Sequence, residues 1–541
     1  MLDVILDYHQ LSKHSMRGFA PGPGHLDWAA QPDPFRRYVG APLLPLAHAP
    51  LDEGPGYEAG FAAGLTPSAP VDFAGISRLF RDSLALSAWK EYGGSRWALR
   101  VNPSSGNLHP TEGYLVCGPI SGLCDEPMIA HYASHEHALE VRTTLPAALW
   151  AQLADGLPEG AFLAGLTSIL WREAWKYGER AYRYCQHDAG HALAALAIAA
   201  AGLGWRARLL DAPSSEALAA LFGVTDPKGA ESEHPDCVVA LLPREGTPAA
   251  GALAELPFEA LDALSWSGRP NTLSRTHVAW RWAEEAVLAT RKPPTDGAYA
   301  GELSQEEADA PLMTRPDAML RRILHQRRSA VEMDGQTRLT RQSFYEILSR
   351  TLPAPGRVPF DLLPWEPRIH LGLFVHRVED LDPGLYLLAR NPDHLARLRA
   401  ALLPDADWET PPGCPSALPL FLLKAGDARQ VAAQVSCGQE IAADGCFSLG
   451  MLADFAGPLT ALGAWHYPRL YWECGMVGQV LYLEAEAAGV RGTGIGCYFD
   501  DAVHGLFGLR DDAFQSLYHF TIGGPEEDTR LTTLPPYGGT T

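Results

Sequence analysis

The chain has 541 residues, 47% hydrophobic and 20% charged, a balance that excludes wholesale disorder and leaves room for two or more domains. Its formal net charge of -21 disfavours nonspecific binding to nucleic acid or anionic membranes, although a local arginine pair can still set the potential inside a pocket. Nine cysteines without a CxxC pair read as reduced thiols, and the first residues carry an early acid and no long apolar run, so a cytoplasmic protein without a signal peptide is expected.

Residues 1–70 are rich in proline, glycine and histidine and are expected to form an irregular extension wrapping the body. A compact segment follows over 71–264. It opens with a helix ending near Arg81-Asp82-Ser83, followed by the loop 100–110. In that loop Pro103, Ser104, Ser105 and Asn107 can be read in two ways. They form either a rigid loop offering hydroxyls and a carboxamide to a flat polar ligand, or a turn that uses these residues for their backbone preferences. Further on, Lys176-Tyr177 admits a base and proton relay if the lysine is desolvated, or a surface lysine beside a packed tyrosine. Arg180, Arg183, Asp188 and His191 follow at helical spacing and read as a salt-bridged helix face. The alanine-rich run 192–203 is too short to span a bilayer and is expected in a buried helix starting near Gly190-His191.

Residues 265–316 are expected to hold a helix over 277–290 and an exposed polar linker over 292–316, where Pro-Pro, Asp-Gly and glutamates cluster. The second compact segment covers 317–541. Near its start, Arg327-Arg328-Ser329 presents fork-shaped donors and a hydroxyl that suit a phosphate, or alternatively a solvated basic helix end. Near its end, glycines alternate through 492–496, so the backbone of Gly494, Ile495, Gly496 and Cys497 could approach a ligand, or simply connect a helix to a strand. No HExxH motif or clustered ligand spacing points to a metal, and no phosphate-binding GK[ST] loop or Gly-x-Ser-x-Gly elbow occurs.

The two compact segments look like copies of one unit. Arg81-Asp82-Ser83 matches Arg327-Arg328-Ser329, and the apolar strand 113–118 matches 370–375. The stretch 128–137 matches 384–394. Long helices ending in Ala-Ala-Gly at 200–202 and 487–489 match, as do Phe222-Gly223 and Phe507-Gly508. Strands between helices in each copy give an α+β class.

The order of these motifs resembles the nitroreductase superfamily of FMN enzymes, and more closely its SagB-type (McbC-like) dehydrogenases. The resemblance covers most of residues 71–541; its SagB-like details are 102–112, 175–191, Gly523-Gly524-Pro525 and Asp528-Thr529-Arg530. It implies two tandem nitroreductase-like domains forming an intramolecular pseudo-dimer, with no nucleic-acid or membrane partner. Arg327, Arg328 and Ser329, with Arg530, would hold the FMN phosphate and ribityl groups. Pro103, Ser104, Ser105 and Asn107 would cover the ring from the other copy, and the backbone at Gly496 and Cys497 would lie near flavin N5. Lys176-Tyr177 resembles the catalytic pair of azoline dehydrogenases, which implies oxidation of azolines to azoles in modified peptides. NAD(P)H-driven reduction of nitro or quinone compounds and a non-catalytic flavin-binding protein are the alternatives. The serine-rich loop occurs only in the first copy and the intact Arg-Arg-Ser only in the second, so one competent and one decayed site are expected. Asp82 beside a phosphate would repel it.

Overall fold

The computed structural model describes residues 1–225, 229–297 and 318–538; the part of the expected linker at 298–316 lies outside the described residues. The first half supplies strands β1 (Leu43–Pro45), β2 (Leu86–Tyr92), β3 (Ser95–Arg100), β4 (Thr111–Cys117), β5 (Met128–Ala133), β6 (Ala138–Thr144), β7 (Phe162–Ile169), β8 (Arg206–Leu209) and β9 (Glu233–Leu242). The second supplies β10 (Ile369–Val375), β11 (Gly384–Leu388), β12 (Leu420–Ala425), β13 (Phe447–Asp454), β14 (Arg491–Ile495), β15 (Phe514–Gly523) and β16 (Thr532–Leu534). Two large antiparallel sheets result, in the orders β1-β6-β5-β4-β7-β9-β8 and β12-β11-β10-β13-β15-β14, and β16-β2-β3 form a small third one. Apart from the added edge strand β1, the strand order is the same in both large sheets.

The helices that matter for the site are α1 (Leu2–Leu11), α2 (Phe73–Arg81), α3 (Leu170–Tyr177), α4 (Ala181–Gly202), α5 (Ser215–Phe222), α6 (Arg281–Ala289), α7 (Leu320–Gln326), α8 (Tyr467–Ala487) and α9 (Asp500–Phe507). Every residue of α4 is buried, as is α8 as far as Ala485, so neither shows the single apolar stripe of a surface helix. The two cross at their glycines. A Cβ on Gly190 would lie 2.3 Å from the Trp472 carbonyl oxygen, and one on Gly475 would lie 2.2 Å from the His187 carbonyl oxygen. The repeated Phe-Gly pairs are helix ends: α5 stops at Gly223 (φ +66°) and α9 at Gly508 (φ +83°), both left-handed caps. At its other end α5 is capped by Ser214, whose hydroxyl accepts from the Ala217 N–H.

Three expectations about element boundaries need correction. The extension is not wholly irregular: α1 buries Ile5 and Tyr8, and β1 joins the first sheet beside β6. The long helices begin at Ala181 and Tyr467, the first well before the expected Gly190, because polar side chains upstream are buried by pairing rather than by being apolar. Residues 292–297 are exposed at Pro293, Pro294 and Asp296, as expected of a linker, but their backbone is tied to the body. Ser215 N–H donates to the Lys292 carbonyl (3.0 Å), and Thr295 N–H donates to the Ala212 carbonyl (3.0 Å). The expected helix over 277–290 is present as α6, shortened at both ends.

Each chain terminus crosses to the opposite half. His9 of α1 bonds Tyr467 Oη (3.2 Å) and Gln515 Oε1 (3.3 Å). β16 pairs with β2, and Tyr537 Oη donates to the Ser134 carbonyl (2.8 Å).

Candidate functional site between the two halves

The serine-rich loop is rigid by construction. Asn107 and His109 hold left-handed φ values of +57° and +51°, as does Gly106 at +61°, a conformation that costs side-chain-bearing residues energy unless the surroundings hold it. The surroundings do so here. Arg172 Nη1 donates to the His109 carbonyl (2.7 Å), His109 N–H donates to Ser104 Oγ (2.8 Å) and Ile169 N–H to the Pro110 carbonyl (2.9 Å). Arg172 is itself paired with Glu112, which also bonds His131 (3.0 Å). Burial opposes that carboxylate, but Arg172 and His131 still hold it down at about 2.

The loop lies against both members of the Lys176-Tyr177 pair. A Cβ on Gly106 would meet Tyr177 Oη at 2.7 Å and Lys176 Nζ at 2.9 Å, so only glycine fits under these two groups. Tyr177 packs on Tyr184, ring centroids 4.3 Å apart. Tyr184 covers Gly496, where a Cβ would fall 2.1 Å from its Cε1. From the second half, Tyr482 Oη bonds Ser329 Oγ (2.9 Å) and accepts from the Gly494 N–H (2.9 Å). Arg327 lies 4.9 Å over the Tyr482 ring and donates through Nη2 to the Arg100 carbonyl (3.1 Å), two residues before the loop begins. The loop, Lys176-Tyr177, the segment 494–497 at the end of β14 and Arg327–Ser329 therefore form one connected region to which both halves contribute.

Electrostatics distinguishes two ends. At one end Arg327 is buried and Arg328 half-buried, and among the described residues neither has a carboxylate within salt-bridge reach. Arg327 Nε has no partner at all. Burial, then repulsion from Arg327, brings Arg328 down to about 10. Guanidiniums without an ion-pair partner, their charge only partly offset by Glu486, fit an anionic group such as a phosphate beside the Ser329 hydroxyl. Arg328 also donates to Ser87 of β2, at Oγ (3.4 Å) and the carbonyl (3.3 Å). At the other end sit two acids whose protonated forms burial favours. Asp188 accepts from Ser105 N–H (3.1 Å) and Ser105 Oγ (3.1 Å), yet burial pushes its carboxyl up to about 7. Glu173 is buried with neither oxygen bonded, and burial and the neighbouring Asp188 raise it well above the carboxylate range. Burial also raises Tyr177 well above the usual phenol value.

The glycines of β14 make room for the protein's own aromatic rings rather than for an open cradle. Tyr518 stands over Gly494, where a Cβ would lie 1.9 Å from its hydroxyl, as Tyr184 stands over Gly496. Arg530 lies apart from the buried cluster. It is on the surface, paired with Asp528 (2.8 Å) and over the Tyr92 ring at 5.5 Å, because an acid two residues away engages it first. Arg180 and Arg183 are buried in ion pairs, as expected, but their partner is Asp500 of the second half (3.1 and 2.7 Å), not their own helix face.

Sequence reasoning passed over Glu173, Tyr184, Tyr482 and Tyr518. Glu173 precedes Lys176 by one helical turn, which was a usable signal; tyrosines in apolar runs read as ordinary core. Among the described residues, no group of three or more His, Cys, Asp or Glu could hold a metal ion, and no helix is long and apolar enough to cross a membrane.

The raised Asp188 has a stability consequence. The folded state retains its proton from pH ~4, where the unfolded carboxyl titrates, up to about 7. Stability is therefore fully present below pH ~4 and declines as pH rises through that window. Asp188→Asn should remove this share of the decline, on the order of a few kcal/mol, in guanidinium titrations at either end of the window. Asp236, also pushed up to about 7 by burial, leaves a residual slope.

Residues 70–241 match the nitroreductase family model. Over almost its full length the chain is similar to a nitroreductase-type protein from Anabaena variabilis, with 22% identity, 97% of this chain and 99% of that chain covered, and a TM-score of 0.68. The overall fold is thus that of the nitroreductase superfamily. Shorter matches include a nitroreductase-type protein from Ralstonia eutropha (15% identity, 42% of this chain and 90% of that one, TM-score 0.27). Another is a chain of the Escherichia coli microcin synthetase McbBCD complex with truncated pro-MccB17 bound (17% identity, 45% and 93%, TM-score 0.27). A search of curated proteins finds no match.

Proposed function

We propose that the chain is an FMN-dependent oxidoreductase in which residues 71–264 and 317–541 are two nitroreductase-like units folded against each other as a pseudo-dimer. The common strand order of the two sheets supports the duplication. A single observation carries the site assignment: two guanidiniums without an ion-pair partner among the described residues reach the opposite half, Arg327 at the Arg100 carbonyl, two residues before the loop 102–107, and Arg328 at Ser87. In this reading Arg327, Arg328 and Ser329 bind the phosphate, and Pro103, Ser104, Ser105 and Asn107 border the ring. The backbone of Gly494, Ile495, Gly496 and Cys497 flanks it. Arg530 plays at most a peripheral part, since Asp528 already engages it. The opposite side is the decayed counterpart: Asp82 is neutralised by Arg321 (2.7 Å) and His325 (3.0 Å). There the loop near 354–358 is bonded by the extension, Val358 N–H donating to the Phe61 carbonyl (3.1 Å).

When bound, the flavin supplies hydride acceptance and donation. The chain's own groups position it, and Asp188 and Glu173, both raised by burial, are the groups that would hold or give up protons beside Lys176 and Tyr177. NAD(P)H-driven reduction of nitro or quinone compounds is the reaction that best fits the full-length structural likeness. A SagB-like azoline dehydrogenation is the second reading, favoured by Lys176 Nζ and Tyr177 Oη resting on Gly106. There Lys176 would take the substrate proton and Tyr177 would relay it.

The test is the absorption spectrum of the purified protein. One flavin per chain is expected, and Arg328→Ala should weaken FMN retention about tenfold to a hundredfold, the worth of one charge-assisted hydrogen bond. Fast anaerobic bleaching by NAD(P)H supports the reductase; sluggish bleaching with turnover of an azoline peptide supports the dehydrogenase. A colourless preparation that refuses added FMN overturns both.

A further inference from the structure

Just past β14 the chain brings two thiols together. Cys437, in the turn after the helix Arg429–Val435, and Cys497 are both half-buried, and their sulfurs lie 2.7 Å apart. A disulfide bond is about 2.05 Å long, so closing one requires a movement of well under an ångström. Gln439 ties the two segments, donating through Nε2 to the carbonyls of Cys497 (2.9 Å) and Ser436 (2.7 Å).

The neighbours treat the two thiols differently. The His14 ring lies beside the Cys497 thiol and favours its thiolate. Its Nδ1 accepts from the Ala20 N–H (2.9 Å), which places the ring proton on Nε2, the nitrogen left to donate to sulfur. His14 is held in place by its own N–H, which donates to Asp500 Oδ2 (3.0 Å). Arg180 donates to the Gly496 carbonyl (3.1 Å) and adds positive charge beside Cys497. Cys437, then His14, draw the Cys497 thiol below its ordinary range, while the bond to Cys497 pushes Cys437 up. A second close thiol pair, Cys117 and Cys124, lacks this arrangement: Cys117 is fully buried and has no histidine donor.

We propose that Cys437 and Cys497 form a redox-active dithiol, with Cys497 the attacking thiol and Cys437 the resolving one, that exchanges with low-molecular-weight disulfides. The Cys497 thiolate attacks one sulfur of the external disulfide. A mixed disulfide forms on Cys497 and one thiolate leaves. Cys437, losing its proton to that thiolate, then attacks Cys497 Sγ; the internal disulfide forms and the second thiolate departs to take up the remaining proton. Two electrons pass from the dithiol to the external disulfide, which is released as two thiols. The exchange needs no flavin, so it stands or falls apart from the proposed function. Its product would lock the backbone at 496–497 to the turn at 437.

The experiment uses the full chain, reduced with dithiothreitol, desalted and equilibrated with glutathione disulfide. Intact mass should fall by two hydrogens, thiols that can be alkylated after denaturation should fall by two, and peptide mapping should find Cys437 linked to Cys497. In Cys437→Ser the reaction should stop at a glutathione adduct on Cys497. In Cys497→Ser adduct formation should slow at least about tenfold, the loss expected when the low-pKa thiol of a pair is removed. Alkylation of both Cys437 and Cys497 as free thiols at equilibrium would overturn the proposal. So would an adduct in Cys437→Ser that collects on another cysteine.

Discussion

Asp500→Asn is expected to cost the fold about 3–5 kcal/mol, the range for leaving a buried charge without its partner. Asp500 is fully buried and accepts from Arg180 Nη1 (3.1 Å), Arg183 Nη1 (2.7 Å) and His14 N–H (3.0 Å). Neither arginine can shed its charge. Asparagine offers one oxygen where two were used, and its amide hydrogens would face the guanidinium donor on the side they replace. Burial alone would raise the Asp500 carboxyl, but Arg180 and Arg183 hold it well below the ordinary range. Its stabilisation is therefore present above pH ~4 and lost as pH falls below that value. Urea titration should show a lower midpoint for the variant at neutral pH and a shallower acid limb. The surface pair Asp427–Arg429 provides the contrast. Both side chains are at least half exposed, and Asp427→Asn should change stability by no more than about 1 kcal/mol.

The second large effect is expected at the helix crossing. Alanine is the better helix former by about 1 kcal/mol, so propensity alone predicts that Gly190→Ala stabilises α4. The crossing reverses the sign. The new methyl would sit 2.3 Å from the Trp472 carbonyl oxygen and 2.7 Å from its Cα. Both are backbone atoms of α8, so no flexible side chain can yield, and the helices must separate along their contact. A loss at or above the upper end of the ~1–3 kcal/mol typical of overpacking is expected. Gly505 in α9 has nothing within 4 Å of its would-be Cβ, and there alanine should stabilise by about 0.5–1 kcal/mol. Opposite signs for one chemical change, read by thermal or urea unfolding, would isolate the crossing as the cause.

What the sequence made legible follows from how local each signal is. The Phe-Gly pairs are helix caps, a device contained in a few adjacent residues, and they were readable. So was the strand at 370–375, whose apolar run is short and bounded. The start of α4 was not, because Arg180 and Arg183 look like solvent-facing residues until Asp500 is known to neutralise them from the far end of the chain. α1 was hidden by the composition of the proline- and glycine-rich stretch around it, and its buried partners Tyr467 and Gln515 lie in the other half. In the candidate site, the loop 102–107 and Arg327–Ser329 stood out by composition. Arg530 misled because its nearest acid, Asp528, is as local as a partner can be. Tyr184, Tyr482 and Tyr518 carried no motif, and only packing reveals what surrounds them, whereas Glu173 was signalled by its spacing from Lys176.

The placement of α1 bears on how the molecule is made. His9 is translated 506 residues before its partner Gln515. At about 5–20 residues per second, that bond waits tens of seconds after Tyr8 has found Glu179 and Tyr182 within its own half. The docking of α1 is thus completed only once the second half has been made, and holdase chaperones would have that interval in which to compete for it.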